Sequence, residues 1–316
     1  MADSEGRVTL WGIEVFLAAA DEGAISAAAR RLGVSPSAVS QQLTGLEAAL
    51  GTALLDRSAR PLRITPSGTL FRRHAQTILN AAEEAKAELA LSDLAGLTTL
   101  RLGMIEDFEA DVTPRLLSAL SADLKDCRFQ LETGPSHRLL DLLETRALDI
   151  VVAADTGAPP PFDSAWREVH PILREPFLAV CARGKTPADL PLIQYTARHL
   201  MGRQIAAHLA KLGLTPASRF ELDSYHAILA MVAAGAGWAI LTPLALHQAR
   251  RFRPEVDVHA LPFAPLDRTL SLSARAGLLK DVPGQISQRL KGLIEAEVVQ
   301  PMRATLPFLG DTLRVL

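Results

Sequence analysis

The chain has 316 residues, of which 48% are apolar, 22% charged and 5% aromatic, and its formal net charge is -2. That composition fits a soluble globular protein and excludes disordered, collagen-like and disulfide-stapled chains. The length exceeds what one hydrophobic core supports, roughly 250 residues, so two or more domains are expected. The first eight residues are short and polar, with acidic groups where a leader would be basic, so nothing marks the chain for export and a cytoplasmic protein is expected. Cys127 and Cys181 lie far apart without metal-ligand spacing. This fits a reducing compartment, argues against a zinc site and leaves redox sensing as a minority reading.

Leu10, Ile13, Phe16, Leu17 and Ala20 fall on one face at helical spacing and predict a first amphipathic helix. After Gly23, Ser26 to Leu32 reads as a short helix with Ser26 as N-cap and Gly33 as its end. Ser35 as N-cap and Pro36 at the first helical position open another, with Val39, Leu43, Leu46 and Leu50 as its buried stripe. Two helices joined by Gly33-Val34 form a helix-turn-helix, with the small Ala27 and Ala28 allowing a close crossing. Leu54 to Ile64 reads as two short strands around a basic loop, a wing. Thr65 and Pro66 start a helix to about Leu91, on which Phe71, Ala75, Ile78, Ala82, Ala85 and Leu89 form a heptad seam expected to pair with a second subunit. The competing reading packs that stripe on its own domain.

Small and polar residues at Ser92 to Thr98 predict a hinge, after which strands and helices alternate. Leu100 to Ile105, Arg128 to Glu132 and Asp149 to Ala153 read as strands, with helices at Thr113 to Leu124 and Arg138 to Arg146 between them. The pattern recurs from Phe177 to about Leu261, then comes a strand at Thr269 to Ser273 and a helix from about Gly284 to Val299. This order predicts parallel βαβ units in two α/β lobes with a cleft between them. Ile228 to Leu246 lacks charge over nearly a bilayer's width, but Gly235, Gly237 and Pro243 interrupt it, so a buried helix, turn and strand are expected there.

The runs Ile13-Glu14-Val15-Phe16-Leu17, Ala28-Ala29-Arg30-Arg31-Leu32, Val34-Ser35, Ala38-Val39-Ser40, Leu46-Glu47, Leu50-Gly51 and Leu54-Leu55-Asp56-Arg57, with Leu62, Thr65 and Gly68, together resemble the LysR-type transcriptional regulators. The resemblance continues more loosely in Leu102-Gly103, Leu139-Leu140, Leu143, Ala147-Leu148-Asp149-Ile150, Leu229, Val232 to Gly235, Gly237, Leu241 and Pro243, to about residue 300. It implies an N-terminal winged helix-turn-helix, a long dimerisation helix and a two-lobed α/β effector domain like the periplasmic binding proteins. The expected bounds are 1–66 for the DNA-binding domain, 67–91 for the linker helix, 92–99 for the hinge and 100–300 for the effector domain, with a tail at 301–316. Lobe I is expected at about 100–170 and 266–300, and lobe II at about 171–265. The implied partners are double-stranded promoter DNA at an interrupted inverted repeat, a small-molecule effector, and further copies of the chain in a homodimer or homotetramer. The departure from the family's pattern is in the recognition helix, where Pro36-Ser37 and Gln41 stand in place of a common Gln-Pro pair and Arg. The position of that helix therefore carries over, and a base code does not.

Candidate DNA contacts are Ser35, Ser37, Ser40 and Gln41 near the start of that helix, Arg57, Arg60 and Arg63 in the wing, and Arg30. Gln pairs bidentately with adenine, and clustered Arg meets phosphate. Against this stand capping for Ser35, surface polarity for the rest, and an ion pair from Arg30 or Arg31 to Glu47 or Asp56. Candidate effector contacts are Glu106, Asp107 and Phe108, with Thr133 and Ser136, at the C-terminal ends of parallel strands, where open α/β sheets bind ligands. On the second lobe, Tyr195, Thr196, Arg198, Asp223 and Ser224 are placed by the resemblance. If both acids face the cleft, they favour a cationic or neutral effector; if they cap the following helix, the cleft suits an anion. No catalytic constellation, dinucleotide fingerprint or metal spacing is present, so neither enzyme nor cofactor is expected. A solute-binding protein remains the alternative of like lobes, and would lack a DNA-binding head.

Overall fold

The computed structural model describes residues 7–90, 98–155 and 166–316, and its backbone divides into two units, residues 1–96 with 144–147 and residues 97–143 with 148–316. The expected hinge lies almost wholly outside the described residues.

In the first unit α1 (Leu10–Glu22) begins at Thr9, whose hydroxyl accepts from the Gly12 amide at 3.0 Å, and ends at the left-handed Gly23. Helix α2 (Ile25–Leu32) starts after Ala24 with no side-chain cap, so Ser26 lies inside the helix and not at its start. Its end at Gly33 leads to α3 (Pro36–Leu50), where the Ser35 hydroxyl accepts from the Ala38 amide at 3.2 Å and Pro36 takes the first position. The helix-turn-helix is therefore set by two glycine ends and one serine cap. Ile13, Phe16, Ala28, Val39, Leu43 and Leu46 close the core beneath it, while Leu10 stays exposed. Strands β1 (Leu55–Asp56) and β2 (Arg63–Ile64) pair antiparallel as the wing's stem.

Helix α4 (Pro66–Ala90) is capped by Thr65, whose hydroxyl accepts from the Gly68 amide and donates to the Ala53 carbonyl. Its stripe divides. Phe71 stacks at 5.4 Å on Phe16 and Ala75 is fully buried, so these two positions close the unit's own core. Ile78 is 39% exposed, Ala82 is half-buried and Ala85 is exposed; the Leu89 side chain lies outside the described set. The expectation of one continuous intersubunit seam is thus corrected for its first two members. A straight helix drifts against a seven-residue repeat, and the first turns of α4 are taken up by α1.

The second unit holds two sheets. The first has the order β13-β6-β12-β5-β3-β4, with β13 (Arg314–Val315) at one edge: β3 (Thr99–Met104), β4 (Arg128–Thr133) and β5 (Ile150–Ala154) run parallel. They are linked by α5 (Val112–Asp123) and α6 (Ser136–Glu144). Strand β12 (Asp267–Arg275) pairs antiparallel with β5 and with β6 (Arg167–Pro176). The second sheet has the order β11-β7-β10-β8-β9, in which β8 (Leu192–Tyr195) pairs parallel with β9 (Ser218–Leu222) and β10 (Trp238–Leu241). Strands β7 (Leu178–Ala182) and β11 (Val256–Ala260) run antiparallel there. Helices α7 (Leu200–Lys211), α8 (Tyr225–Ala233) and α9 (Pro243–Gln248) complete this lobe. The parallel βαβ units appear as expected, and the antiparallel strands are those at which the chain crosses between lobes.

Because β6 stays in the first sheet through Pro176, the crossing lies at 176/177, six residues beyond the expected lobe boundary. The stretch from Ile228 to Leu246 resolves into α8, a turn at the left-handed Gly235, buried β10 and the start of α9, and no described helix is long and apolar enough to cross a membrane. The final residues are not a loose tail. Helix α10 (Val282–Ile294) passes through a π-helical turn at Glu295–Val299 into α11 (Gln300–Thr305), in whose first turn Pro301 has no amide proton to donate. Leu306, Leu309 and Leu313 are buried, and β13 (Arg314–Val315) joins the edge of β6.

Gly68 gives a direct test of the first unit's packing. A Cβ there would lie 2.1 Å from the Leu54 carbonyl oxygen, which is backbone and cannot swing away. Gly68→Ala is expected to destabilise the DNA-binding unit by at least about 1–3 kcal/mol, the usual range for forced overpacking. Thermal unfolding followed by circular dichroism checks this, and an unchanged melting temperature would contradict the packing of α4 on β1.

Candidate DNA-binding surface and interlobe cleft

On the first unit, α3 presents Ser35, Ser37 and Gln41 to solvent and holds Ser40 half-buried, while Val39 and Leu43 point into the core. Ser35 is engaged as the N-cap. Arg30, Arg60 and Arg63 are exposed, and none has a hydrogen bond or ion pair among the described residues. Arg57 is different: its guanidinium bonds Glu47 at 2.5 Å and the Thr44 hydroxyl at 3.1 Å. The other Glu47 oxygen accepts from the Leu54 and Leu55 amides at 2.8 and 3.1 Å. Arg57 and Glu47 thereby fasten the wing's first strand to α3, so Arg57 is a positioning residue and not an open phosphate ligand. Arg31 pairs with Asp21 and Glu22, not with Glu47 or Asp56 as anticipated.

In the second unit the C-terminal ends of β3, β5 and β8 converge on a cleft of about 470 Å³, part of it open to solvent. Glu106, Asp107, Ser136 and Tyr195, all expected there from sequence, line it. So do His199, Met201, Tyr225 and Arg268, which sequence reasoning missed. Other expected residues lie elsewhere. Phe108 is fully buried in the lobe's core, and the buried Thr196 hydroxyl donates to Glu221 at 2.6 Å. Arg198 is exposed beside Asp223, Ser224 caps α8 by accepting from the Ala227 amide, and Thr133 is not among the lining residues.

The floor of the cleft is an ionic network. Arg268, 7% exposed, donates from Nε to Glu175 at 2.7 Å and from Nη2 to Asp107 at 2.8 Å, with a longer contact to the Thr242 hydroxyl at 3.4 Å. Glu175 is wholly buried, and its second oxygen accepts from the Leu244 amide at 3.0 Å. Burial pushes the Glu175 carboxyl upward while the Arg268 charge opposes that shift. Desolvation lowers the Arg268 basicity less than its two carboxylates raise it, so it stays charged. Asp107 is therefore spent on Arg268. Glu106, in a short 3₁₀ turn at the mouth, is exposed, and its side chain has no hydrogen bond or ion pair among the described residues. Partial desolvation and then the neighbouring Asp107 raise its carboxyl above the ordinary value.

Neither cysteine is placed for thiolate chemistry. Cys181 is buried in β7 and Cys127 lies in the other lobe ahead of β4; burial pushes both thiols up, whereas a reactive thiol needs a lowered value.

The family model for the LysR substrate binding domain matches residues 96–281, and that for the bacterial regulatory helix-turn-helix protein of the lysR family matches residues 10–69. The chain belongs to the LysR family. A probable hydrogen peroxide-inducible genes activator of Mycobacterium avium is 32% identical over 225 residues, covering 68% of this chain and 71% of that protein. The regulator DgdR of Burkholderia cepacia is 30% identical over 234 residues, covering 73% and 76%. Among solved structures, a full-length OxyR variant of Pseudomonas aeruginosa superposes with a TM-score of 0.65 at 22% identity, covering 92% of this chain and 95% of that one. The LysR-family regulator CbnR bound to its target DNA gives a TM-score of 0.59 at 21% identity, covering 92% and 100%, which supports the shared fold. This LysR-type protein is a DNA-binding transcriptional regulator with an effector-binding domain, as the sequence resemblance implied.

In this LysR-type regulator Arg268→Met removes the one guanidinium that meets Asp107 and Glu175 among the described residues and leaves two carboxylates without it at the cleft floor. A loss of about 3–5 kcal/mol is expected, as when one partner of a buried ion pair is deleted. Chemical denaturation of the protein measures it, and a loss below 1 kcal/mol would mean that the network does not bear on stability.

Proposed function

We propose that α3 enters the major groove, with Gln41 pairing to a base edge and Ser37 and Ser40 contacting bases or phosphates. Arg30, Arg60 and Arg63 meet the sugar-phosphate backbone. The observation that carries this is the division on α3 between a buried Val39-Leu43-Leu46 stripe and an exposed Ser37-Gln41 face, in a head where Arg30, Arg60 and Arg63 have no hydrogen bond or ion pair among the described residues. Two heads bind an interrupted inverted repeat as a homodimer or a dimer of dimers, joined through the outward stripe of α4 at Ile78, Ala82 and Ala85, which the heptad spacing continues to Leu89. A small molecule in the interlobe cleft alters lobe closure and thereby the placement of the heads. The protein acts in the cytoplasm and carries out no catalytic reaction. In support, like lobes in a solute-binding protein would come without the helix-turn-helix head that this chain has.

Footprinting tests the reading as a whole, with protection of two half-sites expected and protection of one overturning the dimer. Gln41→Ala is expected to relax preference at one base pair by about 1–3 kcal/mol, read by competition binding with single-base operator variants. Arg60→Ala is expected to weaken binding to every sequence and to lower the salt slope by roughly one unit per lost phosphate contact. Ile78→Glu brings a carboxylate against its symmetry mate and is expected to lower the sedimenting mass. A variant that sediments like the parent would assign this stripe to its own chain.

A further inference from the structure

The chain has two tyrosines, and both line the interlobe cleft. Tyr225 is 6% exposed, yet its hydroxyl has no hydrogen-bond partner among the described residues. Tyr195 donates its proton to the Asp223 carbonyl at 3.0 Å, so its oxygen faces any ligand with lone pairs only. Glu106 adds a carboxylate that has no hydrogen bond or ion pair among the described residues and can only accept. Arg268 is the lone guanidinium among the lining residues, and its Nε and Nη2 donors are already held by Glu175, Asp107 and Thr242; Nη1 meets only the Met201 sulfur, at 3.9 Å. The starts of α6 and α7 add partial positive charge, but the full charges on the lining are two carboxylates against one occupied guanidinium.

The field at the two phenols has the same sign. Burial first, and then Asp107 and Glu106, push both above the ordinary tyrosine value. Burial opposes a charge of either sign, whereas the part that comes from Asp107 and Glu106 opposes a negative group and favours a cation. Aromatic faces beside a carboxylate are also the surroundings that an ammonium prefers, since the ring quadrupole is negative at its face.

We propose that the cleft takes a protonated amine, its ammonium donating to the Glu106 carboxylate and the Tyr195 hydroxyl oxygen beside the Tyr225 ring. This rests on the reading of the cleft as the effector site and adds the chemical class of the effector. Asp107 plays a supporting part: tied to Arg268 at 2.8 Å, it contributes to the field without contacting the ligand.

The test uses the full-length protein and two matched trios of probes: benzylamine, benzyl alcohol and benzoate, and butylamine, butanol and butyrate. Calorimetric titration and thermal shift measure binding. In at least one trio the amine is expected to bind about tenfold or more tighter than its alcohol and its acid. Glu106→Gln is expected to cost the amine about tenfold while leaving the alcohol unchanged. Glu106 is exposed and its side chain makes no hydrogen bond or ion pair among the described residues, so this variant folds; circular dichroism confirms it. Tyr195→Phe should weaken the amine as well. Tighter binding of either acid that is lost in Tyr225→Phe would overturn the cationic class while keeping the cleft as the effector site. Amine binding that neither Glu106→Gln nor Tyr195→Phe alters would overturn both. Absence of binding by either amine at millimolar concentration would overturn the proposal.

Discussion

Everything in the second unit converges on the guanidinium of Arg268. Its two carboxylates come from separate segments, Asp107 from the turn after β3 and Glu175 from the end of β6, while Arg268 itself stands at the start of β12. Strands β6 and β12 carry the chain between lobes, and they pair from Asp267 opposite Pro176 to Arg275 opposite Arg167. The ion pairs thus sit where the crossing strands leave the first sheet. Glu175 extends the network into the second lobe by accepting the Leu244 amide at the start of α9, and Thr242 lies beside it. Buried charges of this kind add little net stability against an apolar replacement, but each member is costly to leave without the others. Such a network ties the spacing of the lobes to the position of one side chain.

Further contacts span the same gap. Gln248 donates to the Asp107 carbonyl at 2.8 Å, and Arg250 meets Asp111 at 2.9 Å with His247 3.2 Å from the same carboxylate. These run from α9 and the residues after it to the segment between β3 and α5. Asp107 consequently touches lobe II through its backbone and the crossing strands through its side chain, one residue from Glu106 at the cleft mouth. A ligand that draws Glu106 inward acts on the residue next to the one that anchors both. That is a short mechanical path from the cleft mouth to the crossing strands, built from two-partner contacts.

The helices, the wing and the alternation of strands were legible because local chemistry dictates them: glycine ends, Ser35 with Pro36, Thr65 with Pro66, and periodic apolar stripes. The same local signals misled at Ser26, where the helix begins a residue earlier without a side-chain cap. What sequence could not disclose were pairings between distant segments. Arg57 looked like a phosphate ligand because its partner, Glu47, lies ten positions away on another element. Asp107 looked like a free acid because Arg268 stands 161 positions downstream. Arg268 falls in period-two step with Leu270 and Leu272, and a charge on that apolar register was the available signal of a buried partner. Phe108 failed for the converse reason: it adjoins the cleft in sequence, while the 3₁₀ turn rotates it into the core.

The divided stripe of α4 bears on how a ligand signal would reach DNA. A dimer helix whose apolar face were wholly given to its symmetry mate would leave each head free to swivel about its base. Here Phe71 and Ala75 are packed into the core formed by α1, α2 and α3, and Thr65 with Gly68 locks the helix start against β1. The head and the first turns of α4 therefore move as one body. Glu47 and Arg57 extend that rigidity to the wing, so α3, the wing and α4 keep fixed relative directions. A rotation applied farther along α4 would then reappear as a rotation of the whole DNA-reading surface, with no bend inside the head to absorb it.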